Sequence, residues 1–440
     1  MLAAFRNALL IPDLRSKLLI TIGLLTVYRL GVFIPTPGLD IATLRAQLFA
    51  EGGIFTLLNF ITGGNFEVFS IFALGVIPYI TASIIMQIMQ TVVPQLEKLA
   101  KEGEEGRRKL TQITRYGALG LAAVQGFFLA VALLGPSGAL KIGWDNGLFF
   151  WLVVMITQVA GVAVVMWLGE KITEFGIGNG ISLIIFAGIV AALPGALSQQ
   201  FVLIGRGEAS PLGLIIFLGT LLLSIAGMVL IQQGERRIPV QYARKVVGRR
   251  VMGGQSTYIP LRVNAAGVIP IIFAVSVIVL PSTLIGAFPE ALWLQAIGSW
   301  FNPAVWQGLI TSTILIVAFT YFYTQISFDP RRISDNLREY GGFIPGVRPG
   351  QPTTEHLARI TGRITLWGAL FLGSVNAMPQ ILAWLTGQGV LAFAFSGTGL
   401  LIMVGVALDT LRQLESQLTM RHYEGFVSKG RIRGRGGRRL

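Results

Sequence analysis

The chain has 440 residues, of which 53% are hydrophobic and only 13% are charged. A soluble domain carries about 25% charged residues, so this composition indicates a chain embedded in lipid. The absence of cysteine, together with only two histidines (His356 and His422), excludes disulfides, thiolate catalysis and Cys- or His-rich metal sites. We therefore predict no metal and no cofactor. The net charge of +14 is expected to lie mainly in loops on the cytoplasmic side of a membrane.

Ten apolar runs have about the length of 20 residues that a helix needs to cross a bilayer. Each should be helical in lipid, where an unsatisfied backbone group is very costly. The first run contains Arg29 and has no small-x-small cleavage site, so we interpret it as a span and not as a signal peptide. The predicted spans are 18–35, 68–92, 117–134, 148–168, 181–198, 212–231, 264–286, 305–325, 364–385 and 391–411.

The basic residues are divided very unevenly between the two sides of these spans. Ten spans place both termini on one side, and 31 of the 35 Lys and Arg fall on that side. Only Arg45, Lys141 and Arg206 fall in the opposite loops. Because Lys and Arg concentrate in cytoplasmic loops, the N-terminus and the C-terminus are both predicted to be cytoplasmic.

Two cytoplasmic loops, at about 232–263 and 326–363, are unusually long and basic. They also carry apolar residues, such as Ile238 and Val240 in the first and Phe343 in the second. A purely solvated basic linker would not need these residues. We predict that both loops are ordered projections that dock a cytoplasmic partner.

A short apolar segment lies between the first two spans. Residues at about 54–66 read IFTLLNFITGGNF in sequence and have a helical period, but the segment is too short to span a bilayer. Gly63 and Gly64 then interrupt the run. A segment of this kind is re-entrant or buried, so we expect it in the mouth of the helical bundle.

The sequence lacks the usual signatures of catalysis and of ion coupling. Spans two to nine have no ionisable residue in their centres, where coupled transporters hold an ion or relay protons. No phosphate-binding loop, nucleophile elbow or H-E-x-x-H motif is present, and the glycine-rich run at 176–180 is interpreted as a tight turn. We therefore predict a passive conduit that a partner drives, and not an enzyme.

Several long motifs resemble the SecY family of protein-conducting channels, and the match covers nearly the whole chain. The motifs are FIPTPG at 33–38, SIFALGVIPYITASIIMQ at 70–87, KEGEEGRRK at 101–109, GIGNGISLIIFAGIV at 176–190, ERRIPVQYARK at 235–245, NAAGVIPIIFA at 264–274, GGFIPGVRPG at 341–350 and LDTLRQLESQL at 408–418.

The resemblance implies an all-α polytopic membrane protein with ten transmembrane helices. They would form two inverted five-helix halves around a central hourglass pore with a plug helix. On this basis the N-terminal half is 1–198, the C-terminal half is 199–411, and 412–440 is a basic cytoplasmic tail. The implied location is the bacterial inner membrane. The implied function is to translocate unfolded preproteins and to release signal sequences and membrane spans sideways into lipid.

The resemblance also implies a ring of aliphatic side chains at the pore waist. Such side chains dewet a constriction and can close around a passing chain without directional bonds. Taken alone, each of these residues would be interpreted as ordinary packing, and only the motif context assigns it to the ring. The ring residues are Val76, Ile80, Ile185, Ile272 and Ile402.

The short segment at 54–66 corresponds to the plug of this family, although Thr62 stands where the family often has serine. The implied plug residues are Phe55, Leu57, Leu58, Asn59, Phe60, Ile61, Thr62, Gly63 and Gly64. The two long loops correspond to the family's docking site for the motor ATPase SecA and for ribosomal RNA. One basic patch could serve both partners because arginine binds phosphate as well as carboxylate. The implied docking residues are Arg236, Arg237, Arg244, Lys245, Arg249, Arg250 and Arg348.

Further partners implied by the resemblance are the SecE and SecG subunits, preprotein substrates and membrane lipids. Two other classes of protein remain open. A secondary transporter of a small solute would need a polar or charged site near the middle of the membrane. A membrane scaffold would need neither a ring nor a plug. The Gly- and Arg-rich segment at 429–440 reads as disordered, and it either contacts anionic lipid or RNA or acts only as a topology signal.

Overall fold

The computed structural model of the chain is mainly helical, as the composition predicts. Each of the ten predicted spans overlaps a helix. Among the described residues, six helices are long and apolar enough to cross a membrane, and one bent pair of helices makes up to seven. The structure describes residues 11–48, 59, 63–134, 147–242, 245–247, 250–252, 256–264, 266–287, 292–302, 305–387, 391 and 395–429.

The helices of the first half mostly begin where the sequence places a proline or a capping side chain. Pro12 begins the first of them, and the side chain of Asn179 accepts a hydrogen bond from the amide of Ser182 at the start of another. These helices are α1 (Pro12–Val32), α2 (Ile41–Leu48), α3 (Ile77–Val92), α4 (Pro94–Lys101), α5 (Glu104–Leu134), α6 (Leu148–Phe175) and α7 (Gly180–Gly205).

The second predicted span is helical only from Ile77 onwards. Over residues 65–76 the chain takes turns instead, and Ser70 forms an antiparallel bridge with Pro35. The prediction of a helix from 68 was therefore wrong over its first nine residues. Polar side chains replace the missing helical hydrogen bonds, as burial in a membrane requires. The Gln158 amide donates to the Ser70 carbonyl at 3.1 Å, and the Asn65 amide donates to the Phe72 carbonyl at 2.8 Å.

The two helices α3 and α4 meet at an angle of 100°. The bend lies at Val93, which is extended and precedes Pro94, because proline disfavours the helical conformation of the residue before it. No residue of α4 is buried, and Lys101 pairs with Glu97 at 2.6 Å. The second span therefore ends at this bend, and α4 is a surface helix.

The second half adds strands that the sequence analysis did not predict. Pro211 follows the capping side chain of Ser210, and Pro330 follows that of Asp329. The elements are α8 (Pro211–Gln233), β1 (Glu235–Tyr242), β2 (Lys245–Val247), β3 (Arg250–Met252), β4 (Ser256–Arg262), α9 (Ile269–Ala287), α10 (Leu292–Phe301), α11 (Trp306–Ser327), α12 (Pro330–Glu339), β5 (Gly342–Phe343), α13 (Gln351–Thr386) and α14 (Gly397–Lys429).

The strands join the two long loops into one unit. β1 pairs antiparallel with β4, with Ile238 opposite Ile259, and β5 from the second loop pairs with the other edge of β1. One apolar cluster covers this sheet and includes Val240 and Leu261 from the first loop and Leu337 from the second. We refer to this unit, residues 235–262 with 328–364, as the sheet module.

Two helices extend well beyond their predicted spans. α13 begins at Gln351, inside the predicted loop at 326–363, and α14 continues to Lys429, inside the predicted tail. Hydropathy marks where lipid would end, whereas helical hydrogen bonds continue into water. Residues 430–440, most of the segment that reads as disordered, lie outside the described residues.

Candidate functional site

The five predicted ring residues line one small cavity in the bundle. Its volume is ≈ 30 Å³, and its walls are apolar apart from Tyr28 and Ser276. Val76, Ile80, Ile185, Ile272 and Ile402 are all buried. The cavity is small, and its aliphatic walls offer an ion almost no polar groups to replace its hydration shell.

Four helices bring the ring residues together. Val76 caps the start of α3 and Ile80 follows one turn later, with its amide donating to the Val76 carbonyl at 3.0 Å. Ile185, Ile272 and Ile402 lie in α7, α9 and α14. The cavity thus lies between four helices that are far apart in the chain. One of them, α3, begins directly after the irregular segment at 65–76.

Other residues line the same cavity and were not singled out from the sequence. Tyr28 stacks on Phe72 with ring centroids 5.8 Å apart and lies 3.3 Å from the Asn65 amide, which donates to its hydroxyl. Ser276 lies one turn after Ile272 and donates to its carbonyl at 3.0 Å. The one-turn spacing from Ile272 could have indicated Ser276. The complete additional lining is Tyr28, Gly75, Ile77, Ile184, Val275 and Ser276.

A much larger polar cavity opens towards the sheet module. It has a volume of ≈ 620 Å³, and its walls include Gln232, Asn264 and Arg262, the last residue of β4. Arg412 donates to the Gln232 carbonyl and lies 3.8 Å from the carboxylate of Asp409. α14 connects the two cavities, since Ile402 lines the small one and Asp409 the large one. We call the large cavity the polar vestibule; the same helix therefore lines both the vestibule and the apolar cavity at the ring.

The segment that leads into the irregular part of span two is held at Gly63. Arg29 of α1 donates a hydrogen bond to the Gly63 carbonyl, and the Gly64 amide donates to the Asn59 carbonyl at 2.7 Å. Gly63 lies so close to α7 that a Cβ on it would be 2.5 Å from the Cα of Gly188. Of the predicted plug residues, the structure describes Asn59, Gly63 and Gly64, whereas Phe55, Leu57, Leu58, Phe60, Ile61 and Thr62 lie outside the described residues.

The sheet module carries the predicted docking residues for which the structure describes side chains. Arg236 and Arg237 are exposed on β1. Arg237 contacts the Glu235 carboxylate at 2.7 Å and lies over the Tyr258 ring at 4.8 Å. The hydrogen bond to Glu235 raises the pKa of Arg237, so the guanidinium remains charged. Lys245 and Arg250 belong to β2 and β3, whereas Arg244 and Arg249 lie outside the described residues.

Arg348 is exposed on a turn that two glycines permit. Gly346 and Gly350 both have positive φ, at 81° and 97°. The hydroxyl of Thr353 donates to the Arg348 carbonyl at 2.8 Å, and the hydroxyl of Ser334 donates to the Gly350 carbonyl at 2.8 Å. The turn is thus tied to α12 and to α13, and it presents the Arg348 side chain to solvent.

The buried polar residues that the structure describes are all Thr, Ser, Asn or Gln, and none of them is ionisable. In the same part of the chain there is no group of three His, Cys, Asp or Glu side chains that could hold a metal ion. The described residues provide no buried charge for binding an ion.

Comparison with known proteins gives one family. The family model described as SecY matches residues 70–411. A protein from Thermus thermophilus named protein translocase subunit SecY is 58% identical to this chain over 99% of the chain and 100% of its own length.

Solved structures share the fold at low sequence identity. The first is a SecY channel described as having a plug domain that stabilises the closed state; it has a TM-score of 0.64, 18% identity and 95% coverage of both chains. The second is Sec61 in a canine ribosome–channel complex, with a TM-score of 0.59, 17% identity and 95% coverage of both chains. Together with the family model and the Thermus relative, these matches establish that the chain belongs to the SecY family.

Proposed function

We propose that this chain is a protein-conducting channel that passes unfolded preproteins through the ring of five aliphatic residues. The observation that carries the proposal is the convergence of Val76, Ile80, Ile185, Ile272 and Ile402 on one cavity of ≈ 30 Å³. Relatives of this chain are named as translocase subunits, and its fold is that of protein-conducting channels. The polar vestibule would receive the chain, and the ring would close around it.

The ring works through the absence of polar groups. Aliphatic walls around a small cavity offer an ion nothing to replace its hydration shell. An entering polypeptide displaces these side chains, which can rearrange because they make no directional bonds. The ring therefore blocks ions when empty and seals loosely around an extended chain.

The proposed plug is the segment at 54–66, with its hinge at Gly63 and Gly64. Both glycines have positive φ, at 78° and 93°, which a glycine adopts without the cost that other residues bear. The hydrogen bond from Arg29 and the close approach to Gly188 fix one end of the hinge in the closed channel. Opening would break these contacts.

The proposed docking surface is the sheet module, with Arg236, Arg237, Lys245, Arg250 and Arg348 as its described basic residues. Its partners would be the motor SecA and the ribosome, a proposal supported by the structural neighbour solved as a ribosome–channel complex. The proposed location is the inner membrane of a bacterium. The charge distribution supports an orientation in which the sheet module and both termini lie on the cytoplasmic side. SecE and SecG would complete the assembly.

A sideways exit into lipid is proposed between α3 and α5 on one side and α9 and α11 on the other. Ile77, Ala122 and Leu129 share one buried apolar cluster with Val275 and Val279 of α9. This seam contains no ion pair among these residues, so helices could separate there at the cost of apolar contacts alone. The seam lies between the proposed halves, 1–198 and 199–411.

The competing function, secondary transport of a small solute, requires a polar or charged site within the bundle. The buried residues that the structure describes include no Asp, Glu, Lys, Arg or His, and the central cavity is lined mainly by aliphatic side chains. Both observations favour a conduit. We propose no catalytic residue.

Because the chain has no cysteine, crosslinking tests the translocation path directly. Ile80→Cys or Ile272→Cys would be assembled with SecE and SecG, and a signal-bearing preprotein with its own cysteine would be stalled during transport. Ile85→Cys, an exposed position on the same helix as Ile80, serves as the matched lipid-facing control. We expect a disulfide at the ring positions that needs both the signal sequence and ATP. Crosslinks at Ile85 alone, in an active preparation, would mean that the ring residues only pack the bundle.

A further inference from the structure

An aromatic stripe runs along α10, the short helix between α9 and α11. Trp293, Ile297 and Trp300 are four and three positions apart, so they share one helical face. Their exposed fractions are 66%, 41% and 48%. The Trp300 ring lies 6.4 Å from that of Trp306, the first residue of α11, which extends the stripe. The sequence of α10, LWLQAIGSWF, carries no charge.

α10 lies at the end of the bundle opposite the sheet module. α9 follows β4 of the module, and α11 leads back to α12, so the connection between α9 and α11 lies at their far ends. α10 packs against both of these helices. With 10 residues it is too short to cross a bilayer. It is therefore held where the chain turns between two membrane helices.

Exposed aromatic residues on two other helices lie near the same end of the bundle. Trp384 near the end of α13 and Phe149 near the start of α6 are exposed at the ends remote from the module. Each of these helices has a second exposed tryptophan, Trp367 on α13 and Trp167 on α6. Along its helix axis, each lies about 26 Å from the first aromatic residue of that helix. This spacing is close to the thickness of a bilayer's apolar core, about 30 Å. The aromatic side chains thus form two bands, where membrane proteins place Trp at the two lipid–water boundaries.

We propose that α10 is an interfacial anchor whose aromatic stripe is inserted into the lipid leaflet opposite the sheet module. An indole suits this boundary because its ring is apolar and its N–H can donate to a lipid headgroup. Since α10 carries no charge, the anchor does not require anionic lipid. The anchor fixes the depth of α9 and α11 in the membrane. If these two helices form one side of the exit, a consequence that rests on the proposed function, the anchor also holds that side in place.

Single-cysteine spin labels measure this depth in the full-length chain, assembled with its partner subunits in vesicles of neutral phosphatidylcholine. Ile297→Cys reports on the stripe. Glu208→Cys, exposed in the α7–α8 loop at the same end of the bundle, is the aqueous control, and Leu222→Cys, exposed in the middle of α8, is the bilayer control. Collisions with oxygen, which concentrates in lipid, are compared with collisions with a nickel chelate, which stays in water.

The label at position 297 should lie between the two controls, about 5–10 Å below the headgroups. Adding Trp293→Ala and Trp300→Ala to the Ile297→Cys chain should shift the label towards the aqueous control. A label at 297 that is as accessible to the chelate as the label at 208 would overturn the proposal. An immobile label shielded from both reagents would also overturn it, because protein and not lipid would then cover the stripe. The depth is measured without translocation, so it can fail while the channel function holds.

Discussion

The hinge of the proposed plug can be tested at Gly63 with a neighbouring residue as its control. Gly63 has φ 78°, and a Cβ added there would lie 2.5 Å from the Cα of Gly188 on α7. Gly64 has φ 93°, but a Cβ added there meets nothing within 4 Å. Gly63→Ala therefore introduces a backbone strain and a steric clash, whereas Gly64→Ala introduces the strain alone.

The two substitutions allow the cost of the clash to be separated. An alanine in the left-handed region costs about 1–2 kcal/mol, and this cost is common to both variants. Carbon atoms pack at about 3.5–4.0 Å, so the methyl group added by Gly63→Ala would overlap a backbone atom by about 1 Å or more. Overpacking of this kind costs about 1–3 kcal/mol. At about 1.4 kcal/mol for each factor of ten, the displaced hinge becomes about 5- to 150-fold more populated in Gly63→Ala than in Gly64→Ala.

The assay is ion efflux from vesicles that contain the assembled channel without motor or preprotein. Gly63→Ala should leak markedly faster than Gly64→Ala, because a displaced hinge opens the outer side of the constriction. Thermal unfolding of both variants shows whether equal amounts of folded channel are compared. Equal leak rates in the two variants, with equal folding, would refute the assignment of the hinge to Gly63 and its contact with Gly188.

Three further substitutions test the ring, the irregular segment and the sheet module. Ile272→Asn places an amide in the apolar cavity, so we expect ions to leak through the resting channel, measured by conductance in planar bilayers; an unchanged conductance would contradict the ring. Gln158→Leu removes the two hydrogen bonds that its amide donates to the Ser70 carbonyl and the Thr36 hydroxyl, at a cost of about 0.5–1.5 kcal/mol each, which should lower the unfolding temperature. Val240→Ala deletes fully buried atoms and so destabilises the sheet module. If the module docks the motor, motor-driven transport should slow more than ion leak rises, and a rise in leak alone would contradict the docking role.

Span positions were predictable because lipid solvation is a property of local composition. Each of the ten apolar runs overlaps a helix, and six or seven of these helices are long and apolar enough to cross a membrane in the part of the chain that the structure describes. The uneven Lys and Arg distribution was enough to propose an orientation. Helix ends were less predictable. α13 begins at Gln351 and α14 reaches Lys429 because their outer parts pack or project in water, where apolar content no longer marks the helix. The non-helical start of span two is stabilised by Asn65 within the segment and by Gln158 from α6, a distant part of the chain.

The sheet module shows a similar division. Apolar residues such as Ile238 and Val240 predicted that the basic loops are ordered, since a solvated linker would not need them. Their alternation on β1 was too short to predict the sheet. The pairing of β1 with β5 joins residues about a hundred positions apart, and the bundle makes it possible because α8 and α11, which precede the two loops, both pack against α13.

Local composition was enough to show that this chain is a multi-pass membrane protein, to place a helix near each apolar run and to propose which side carries the positive charge. These properties follow from the free energy of transferring each short segment between water and lipid. Composition could not distinguish the aliphatic residues of the ring from ordinary packing residues; the family motifs named them, and the packing of the helices explains why they meet. Ile272 and Ile402 are chemically the same as many neighbours in their helices. They meet in one cavity because of how four helices rotate and pack against one another, and that packing is a property of the whole bundle.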